Sequence, residues 1–204
     1  DRGHQPRIVV LENVRNLMTH DKGKTFKVIK ETLEGLGYHV FAAKLNSADY
    51  GVPQTRNRVF LVCLLDDIDY VFPRGKGSGK KLQDILENNV DDKYFLSERI
   101  LKTIMSNGTG GYYAKSEIDL EIARPLTATM AKMHRACQDN YVTQEKGIRR
   151  LTPRECARLQ GFPEDFRIEV SDAQAYKQFG NAVTVKVSNA IAKSILEQVE
   201  CRDA

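Results

Sequence analysis

The stretch Ile8-Val9-Val10-Leu11-Glu12-Asn13-Val14 decides the fold prediction for the first third of the chain. Its four leading apolar residues predict a buried strand. A carboxylate and an amide follow at the carboxyl end of that strand, which is where open α/β sheets bind their ligands. Glu12 and Asn13 are therefore the first candidates for functional residues.

A second block begins with Gln54-Thr55-Arg56-Asn57-Arg58 and opens the apolar run from Val59 to Leu65. Side chains on a strand return to the same face at every second residue, so Arg56 and Arg58 are predicted to point their guanidinium groups to one face. Planar donor forks of this kind, beside a carboxylate, suit a nitrogenous substrate that carries phosphate.

Between these blocks the sequence predicts a helix from Asp21 to Leu36, with Gly37 as its C-terminal cap, and then a further strand. The apolar positions that support this are Phe26, Ile29, Leu33 and Leu36 on the helix and Tyr38, Val40 and Ala42 on the strand. Residues 1–73 thus read as strand, helix, strand, strand, which is α/β organisation.

The composition is that of a globular chain, with 204 residues of which 41% are hydrophobic. No apolar run approaches the roughly 18 residues of a membrane span, and Asp1–Pro6 lacks the features of a secretory signal. We therefore expect a soluble intracellular protein without membrane contact. Its four cysteines show no C-x-x-C spacing, so neither a metal site nor a disulfide framework is predicted.

The middle of the chain carries the positive charge. Residues 74–150 contain 14 Lys and Arg against 10 Asp and Glu, which accounts for the whole net charge of +4. The run from Arg124 to Thr129, followed by Lys132, His134 and Arg135, mixes the hydroxyl and cationic groups that contact phosphates and base edges. An ordinary solvated surface loop with incidental charge has the same composition, so both interpretations stay open here.

Helical order returns after residue 150. Thr152-Pro153-Arg154-Glu155 is a capping box with proline at the first helical position, and Gly161 ends that helix. A second helix is predicted from about Ser171 to a stop before Gly180, and Val187, Ile191 and Ile195 form the apolar stripe of a last one. Gly180-Asn181 is predicted to be a tight turn that aims the Asn181 amide into a cleft.

Taken in order, these blocks resemble the C5-cytosine DNA methyltransferases over nearly the whole chain. The blocks are Glu12-Asn13-Val14, Gln54-x-Arg56-x-Arg58, Arg150-Leu151-Thr152-Pro153-Arg154-Glu155-Cys156 with Leu159-Gln160-Gly161-Phe162-Pro163, and Gln178-Phe179-Gly180-Asn181-Ala182-Val183. The resemblance implies an α/β fold: a partial Rossmann-like sheet of an S-adenosylmethionine-dependent methyltransferase (1–73), a small irregular target-recognition domain (74–149) and C-terminal helices that return to the catalytic domain (150–204).

The resemblance also implies roles for single residues. Glu12 resembles the carboxyl group that holds a flipped cytosine, and burial at a strand end is expected to favour its protonated form. Arg58 resembles the group that contacts the cytosine oxygen and the adjacent phosphate, with Arg56 and Gln54 as its supports. Catalytic roles are thus expected for Glu12, Arg56 and Arg58, S-adenosylmethionine contacts for Gly180, Asn181 and Ala182, and double-stranded DNA contacts for Gln54, Arg56, Arg58, Thr127, Thr129, Lys132 and Arg135.

Two family motifs are missing from this sequence: the Phe-x-Gly-x-Gly cofactor loop and the Pro-Cys dipeptide whose thiolate attacks cytosine. Cys63 is predicted to be buried in its strand and so is no substitute nucleophile. We therefore expect activity only with the missing N-terminal half or a complementary subunit, and an exposed sheet edge could also support self-association. The resemblance implies a bacterial, cytoplasmic restriction-modification setting. The alternative is a DNA-binding module without catalysis.

Overall fold

The computed structural model describes residues 5–106, 113, 115–132, 134 and 137–203. Its strands are β1 (Ile8–Val14), β2 (His39–Asn46), β3 (Asn57–Leu64), β4 (Tyr141–Gln144) and β5 (Gly147–Arg150). Its helices are α1 (Lys24–Gly35), α2 (Glu98–Met105), α3 (Pro153–Leu159), α4 (Asp172–Asn181) and α5 (Val185–Asp203), with short 3-10 turns at Arg15–Met18, His20–Gly23, Ser47–Tyr50, Leu82–Ile85 and Asp92–Tyr94.

The order strand, helix, strand, strand predicted for residues 1–73 is confirmed. β3 lies in the centre of a three-stranded sheet and is antiparallel to both β1 and β2. Alternate β3 residues pack against α5 on one face and α1 on the other, which explains why the strand is apolar without alternation. The predicted apolar stripe of α5, Val187, Ile191 and Ile195, is buried in the first of these cores.

β1 differs from the buried strand that its apolar run predicts. Among the described residues it has a neighbouring strand only on the β3 side, and Val10 and Val14 are 46% and 52% exposed. The sequence could not indicate this, because four apolar residues look the same on an edge strand and on a central one.

α1 begins at Lys24, three residues after the predicted start at Asp21. Asp21 and Lys22 have left-handed backbone angles, with φ of 48° and 56°, and cannot continue a right-handed helix. At the other end Leu36 is 59% exposed and does not belong to the buried face, while Gly37 follows it with φ of 92°.

The described residues between 74 and 149 form little regular structure besides α2 and the β4–β5 hairpin. Leu82, Ala123 and Leu126 from this part share one core with Leu159 and Phe179 from the C-terminal helices. β5 itself runs across the predicted boundary at residues 149 and 150.

The capping box of α3 is confirmed: Thr152 accepts from the Glu155 backbone N–H, and Glu155 accepts from that of Thr152. Glu155 also forms an ion pair with Arg149, with Nη2–Oε1 and Nη1–Oε2 distances of 2.6 and 2.8 Å, and both side chains are fully buried. The pair fixes β5 against α3. Within the described residues, no helix is long and apolar enough to cross a membrane.

The predicted stop of the second C-terminal helix before Gly180 is wrong. α4 continues through Asn181, and the break before α5 lies at Ala182 to Thr184. Gly180 is needed for a close approach: a Cβ built on it would lie 2.4 Å from the backbone N of Ala128 and from the backbone C of Thr127.

Candidate active site

Glu12 and Arg58 meet at the end of the sheet where β1 ends and β3 begins. The register pairs Glu12 with Phe60 and Val14 with Arg58, which makes the acid and the guanidinium diagonal neighbours on one face. Arg58 Nε lies 2.9 Å from Glu12 Oε1, and its Nη1 donates to the carbonyl of Asn57. The Arg58 and Glu12 side chains remain 20% and 25% exposed. Glu12 is therefore not fully buried, in contrast to the prediction: its carboxylate forms an ion pair and stays partly exposed.

A cavity of about 350 Å³ adjoins Arg58. Its lining residues are Val14, Arg15, Asn16, Thr55, Asn57, Arg58 and Pro125. Glu12 and Asn13 lie outside this lining. Asn13 is exposed, and its side-chain oxygen accepts from the backbone N–H of Val14. The cavity is thus lined by a guanidinium and two amides, and the Glu12 carboxylate is connected to it through its ion pair with Arg58. Together these groups can bind a planar group that has both N–H donors and a carbonyl acceptor.

Arg56 does not share this open end with Arg58, contrary to the prediction. It is 3% exposed, and its guanidinium donates to three carbonyls: Leu126 at 3.0 Å, Gly180 at 3.0 Å and Ala182 at 3.1 Å. Burial, helped by the nearby charge of Arg58 and opposed by Glu12, lowers the pKa of Arg56 to about 10. The group stays charged at neutral pH, and it is held in a position that DNA cannot reach directly.

Gln54 is also buried, with no measurable exposure. Its amide nitrogen donates to the carbonyl of Leu159 at 3.0 Å, and its oxygen accepts from the N–H of Leu126 at 2.9 Å. The geometry therefore contradicts a direct DNA contact for Gln54, as it does for Arg56. Both residues join the start of β3 to other parts of the chain.

Three further buried polar residues belong to this junction, and sequence reasoning missed them. Gln160 donates to the carbonyl of Phe179 at 2.7 Å and accepts from the Thr184 hydroxyl at 2.9 Å. The Thr184 hydroxyl is in turn 2.8 Å from that of Ser47. Gln160 stood inside a recognised block, but Ser47 and Thr184 are 137 positions apart, and no local pattern connects them.

The three residues expected to contact the cofactor have different environments. Asn181 is exposed on the last turn of α4, so its amide is accessible to a ligand. Gly180 is buried, and the carbonyls of Gly180 and Ala182 accept from Arg56. Of the three, Asn181 alone presents a side-chain amide at this surface.

The residues expected to contact DNA also divide. Thr129 and Lys132 are exposed, whereas the Thr127 hydroxyl is buried without a hydrogen-bond partner among the described residues. Arg135 lies outside the described residues.

His134 interacts with Arg150. The Arg150 Nη2 atom lies 3.0 Å from Nε2 of His134, and burial together with the Arg150 charge lowers the pKa of that imidazole.

The cysteines that the structure describes give no activated thiolate. Cys63 and Cys156 are buried, and burial raises the pKa of both thiols. Cys137 is exposed, and it lies outside the named helices and strands. Within the described part of the chain, no cluster of three His, Cys, Asp or Glu side chains could hold a metal ion.

This fold is that of α/β methyltransferases. A solved Entamoeba histolytica methyltransferase, EhMeth, superposes with a TM-score of 0.79 at 19% identity, covering 96% of this chain and 64% of that protein. The Dnmt2 methyltransferase of S. pombe gives a TM-score of 0.74 at 20% identity, covering 95% of this chain and 66% of that protein.

The sequence identifies the family. The family model described as C-5 cytosine-specific DNA methylase matches residues 2–197, and the chain belongs to that family. It is 41% identical to the Type II methyltransferase M1.ScrFI of Lactococcus lactis subsp. cremoris over 96% of its own length. It is 39% identical to the Type II methyltransferase M.SsoII of Shigella sonnei, also over 96%. The chain spans 53% and 54% of these two relatives, about half their length.

Proposed function

We propose that this chain supplies the base-binding and DNA-recognition part of a DNA (cytosine-5-)-methyltransferase, which transfers a methyl group from S-adenosylmethionine to a flipped cytosine in a specific duplex sequence. The observation that carries the proposal is the Glu12–Arg58 pair, 2.9 Å apart and partly open, beside a cavity at the strand ends. Residues 1–73 and 150–204 form the catalytic part, and residues 74–149 form the recognition domain.

In the proposed complex the target cytosine replaces the direct Glu12–Arg58 ion pair. A flipped cytosine presents its ring nitrogen N3 and exocyclic amine to Glu12 and its carbonyl oxygen to Arg58, so both side chains release each other and bind the substrate. A proton held between Glu12 and N3 draws electron density from the ring, which favours thiolate addition at carbon 6 and makes carbon 5 nucleophilic. Arg58 suits its part because its planar fork can bond the oxygen and a neighbouring phosphate together.

Asn181 is the residue that fits S-adenosylmethionine best. Its exposed amide can donate to the carboxylate end of the methyl donor, while Arg56 fixes the carbonyls on either side of it. Gly180 and Ala182 then position the backbone and do not themselves supply side-chain contacts. When bound, S-adenosylmethionine supplies the electrophilic methyl group.

The nucleophile and the cofactor loop come from another polypeptide segment, because this sequence contains neither the Phe-x-Gly-x-Gly loop nor the Pro-Cys dipeptide. The thiols of Cys63 and Cys156 are buried and do not replace the missing nucleophile. The free side of β1 is where that segment would pair. It exposes Val10, Leu11 and Val14, and an apolar strand edge of this kind is completed by a further strand. Self-association through the same edge is the competing arrangement. The bacterial relatives support a cytoplasmic restriction-modification setting.

Duplex DNA binds across residues 74–149 through phosphate contacts from exposed groups such as Thr129 and Lys132, joined by Arg135. Because such contacts release counterions, affinity should fall steeply with salt. Replacing Lys132 by Gln should reduce the slope of log K against log salt by about 1. Binding that does not depend on salt, or no binding at low ionic strength, would contradict this assignment.

The test of the whole proposal is transfer of a labelled methyl group to duplex DNA. The chain is assayed alone and then mixed with a polypeptide that carries the cofactor loop and the Pro-Cys dipeptide. Activity only in the mixture is the expected result. Activity of the chain alone would show that the assignment of the nucleophile is wrong. DNA binding without transfer in either assay would favour a binding module that has lost its chemistry.

A further inference from the structure

Arg56 bridges two segments to which the proposed function assigns different ligands. Its Nη1 donates to the carbonyl of Leu126, the residue before the candidate DNA contact Thr127. Its Nη2 donates to Gly180 and Ala182, which flank the candidate cofactor contact Asn181. One side chain thus determines the distance between the two segments.

The contact leaves little freedom for either segment to move alone. The Gly180 backbone packs so closely on Thr127 and Ala128 that a Cβ would lie 2.4 Å from their backbone atoms. Gln54 Oε1 also accepts from the N–H of Leu126 at 2.9 Å. A movement of residues 126–128 must therefore either carry residues 180–182, the C-terminal end of α4 and its cap, with it or break hydrogen bonds of a buried cation.

Breaking those bonds is unfavourable because Arg56 is 3% exposed and its Nε has no partner among the described residues. A buried guanidinium that loses a carbonyl acceptor has no water to replace it, so the cost of desolvating the charge is not recovered. Hydrogen bonds from a charged donor are also stronger than those between neutral groups. The two segments are therefore expected to change position together, as a single mechanical unit.

We propose that Arg56 is a positioning residue that couples DNA binding by the recognition segment to ordering of residues 179–185, which comprise the end of α4, the break after it and the first residue of α5. The inference rests on the proposed function, since it takes both ligand assignments from it. Its consequence is reciprocal: DNA tightens the hold on S-adenosylmethionine, and S-adenosylmethionine tightens the hold on DNA by the same factor. Arg56 itself contacts neither ligand.

A purely structural role predicts something different. An arginine that only holds the fold together would, on replacement, raise amide hydrogen exchange throughout the chain and leave the response to DNA unchanged. A coupling arginine would, on replacement, abolish the response of residues 179–185 to DNA while α1, on the far side of the sheet, keeps its protection. The DNA-dependent change in amide hydrogen exchange at residues 179–185 therefore separates the two roles.

The experiment is amide hydrogen exchange of this chain with and without a duplex oligonucleotide at low salt, followed by mass spectrometry. In the wild-type chain we expect DNA to slow exchange at residues 179–185 by about fivefold or more. Arg56→Lys keeps the charge but loses the planar fork, so it should retain DNA binding and lose most of that slowing. If Arg56→Lys does not fold, Arg56→Gln, which removes the buried charge, is used as the test variant in its place.

Arg158→Lys is the matched control. Arg158 also donates to a carbonyl, that of Ile85 at 2.8 Å, and it pairs with Glu164, but it touches neither segment of the bridge. This variant should keep the DNA-dependent slowing. Wild-type DNA binding without any change at residues 179–185, or an undiminished change in both Arg56 variants, would overturn the coupling alone. A wild-type chain that does not bind DNA would overturn the proposed function, and the coupling with it.

Discussion

Replacing Gly180 by Ala tests how closely the recognition segment and the last turn of α4 are packed. The new Cβ would stand 2.4 Å from Ala128 N and from Thr127 C, where ordinary van der Waals contact begins at 3.4 Å. The two backbones must therefore separate by about 1 Å. Because the obstacle is main chain, no side-chain rotation can relieve it.

The energetic terms have opposite signs, and the unfavourable ones are larger. In a helix, Ala is favoured over Gly by about 1 kcal/mol. Overpacking of this kind costs about 1–3 kcal/mol. A separation of about 1 Å also stretches one of the 3.0 Å hydrogen bonds from Arg56 beyond bonding range, at about 1.5–3 kcal/mol for a charged donor. We expect a net loss of about 1.5–5 kcal/mol from these terms.

The measurement is urea unfolding followed by far-UV circular dichroism. With a slope of about 2 kcal/mol per molar urea, the midpoint should fall by about 0.8–2.5 M at an unchanged slope. Gly35→Ala is the matched control, since a Cβ on Gly35, the last residue of α1, meets nothing within 4 Å. That variant should be neutral or more stable by up to about 1 kcal/mol. A Gly180→Ala chain as stable as the wild type would refute the packing argument.

Three further predictions concern charged groups. Glu155→Gln should cost about 3–5 kcal/mol in urea unfolding, because it leaves Arg149 as a buried charge without its carboxylate; a loss below about 1 kcal/mol would contradict this. The lowered pKa of His134 means that the unfolded chain binds a proton at this residue more readily than the folded chain does. The free energy of unfolding should therefore decrease as the pH falls below about 6.5. His134→Gln should weaken this dependence when urea midpoints are measured against pH. Glu12→Gln in the assembled enzyme should slow methyl transfer far more than it weakens DNA binding, and equal losses in the two assays would remove its role as an acid.

Local chemistry was sufficient to predict several elements from the sequence. The capping box at Thr152 and Glu155 and the apolar stripe of α5 depend on residues within a few positions of each other, and both are found as predicted. Family membership was equally accessible, because the blocks that carry it are short and contiguous. Boundaries set by left-handed residues, such as the start of α1 after Asp21 and Lys22, were not predictable from periodicity.

The placement of Arg56 and Gln54 needed the tertiary structure. The alternation of a strand predicted Arg56 beside Arg58, yet its guanidinium is buried against carbonyls 70 and 124 or more positions away. Period-two patterns specify only the side of a strand on which a residue lies, and they carry no information about which distant backbone comes to cover it.

The sequence by itself therefore determined the family, the order of the elements in residues 1–73 and the separate candidates Glu12 and Arg58, since each follows from a short contiguous block of the chain. Only the tertiary structure decided which polar groups are open to a ligand and which are fixed in the interior. Arg56 and Arg58 are two positions apart and chemically identical, and their exposure differs because long-range packing of Leu126 and Gly180 covers one of them and leaves the other beside the cavity.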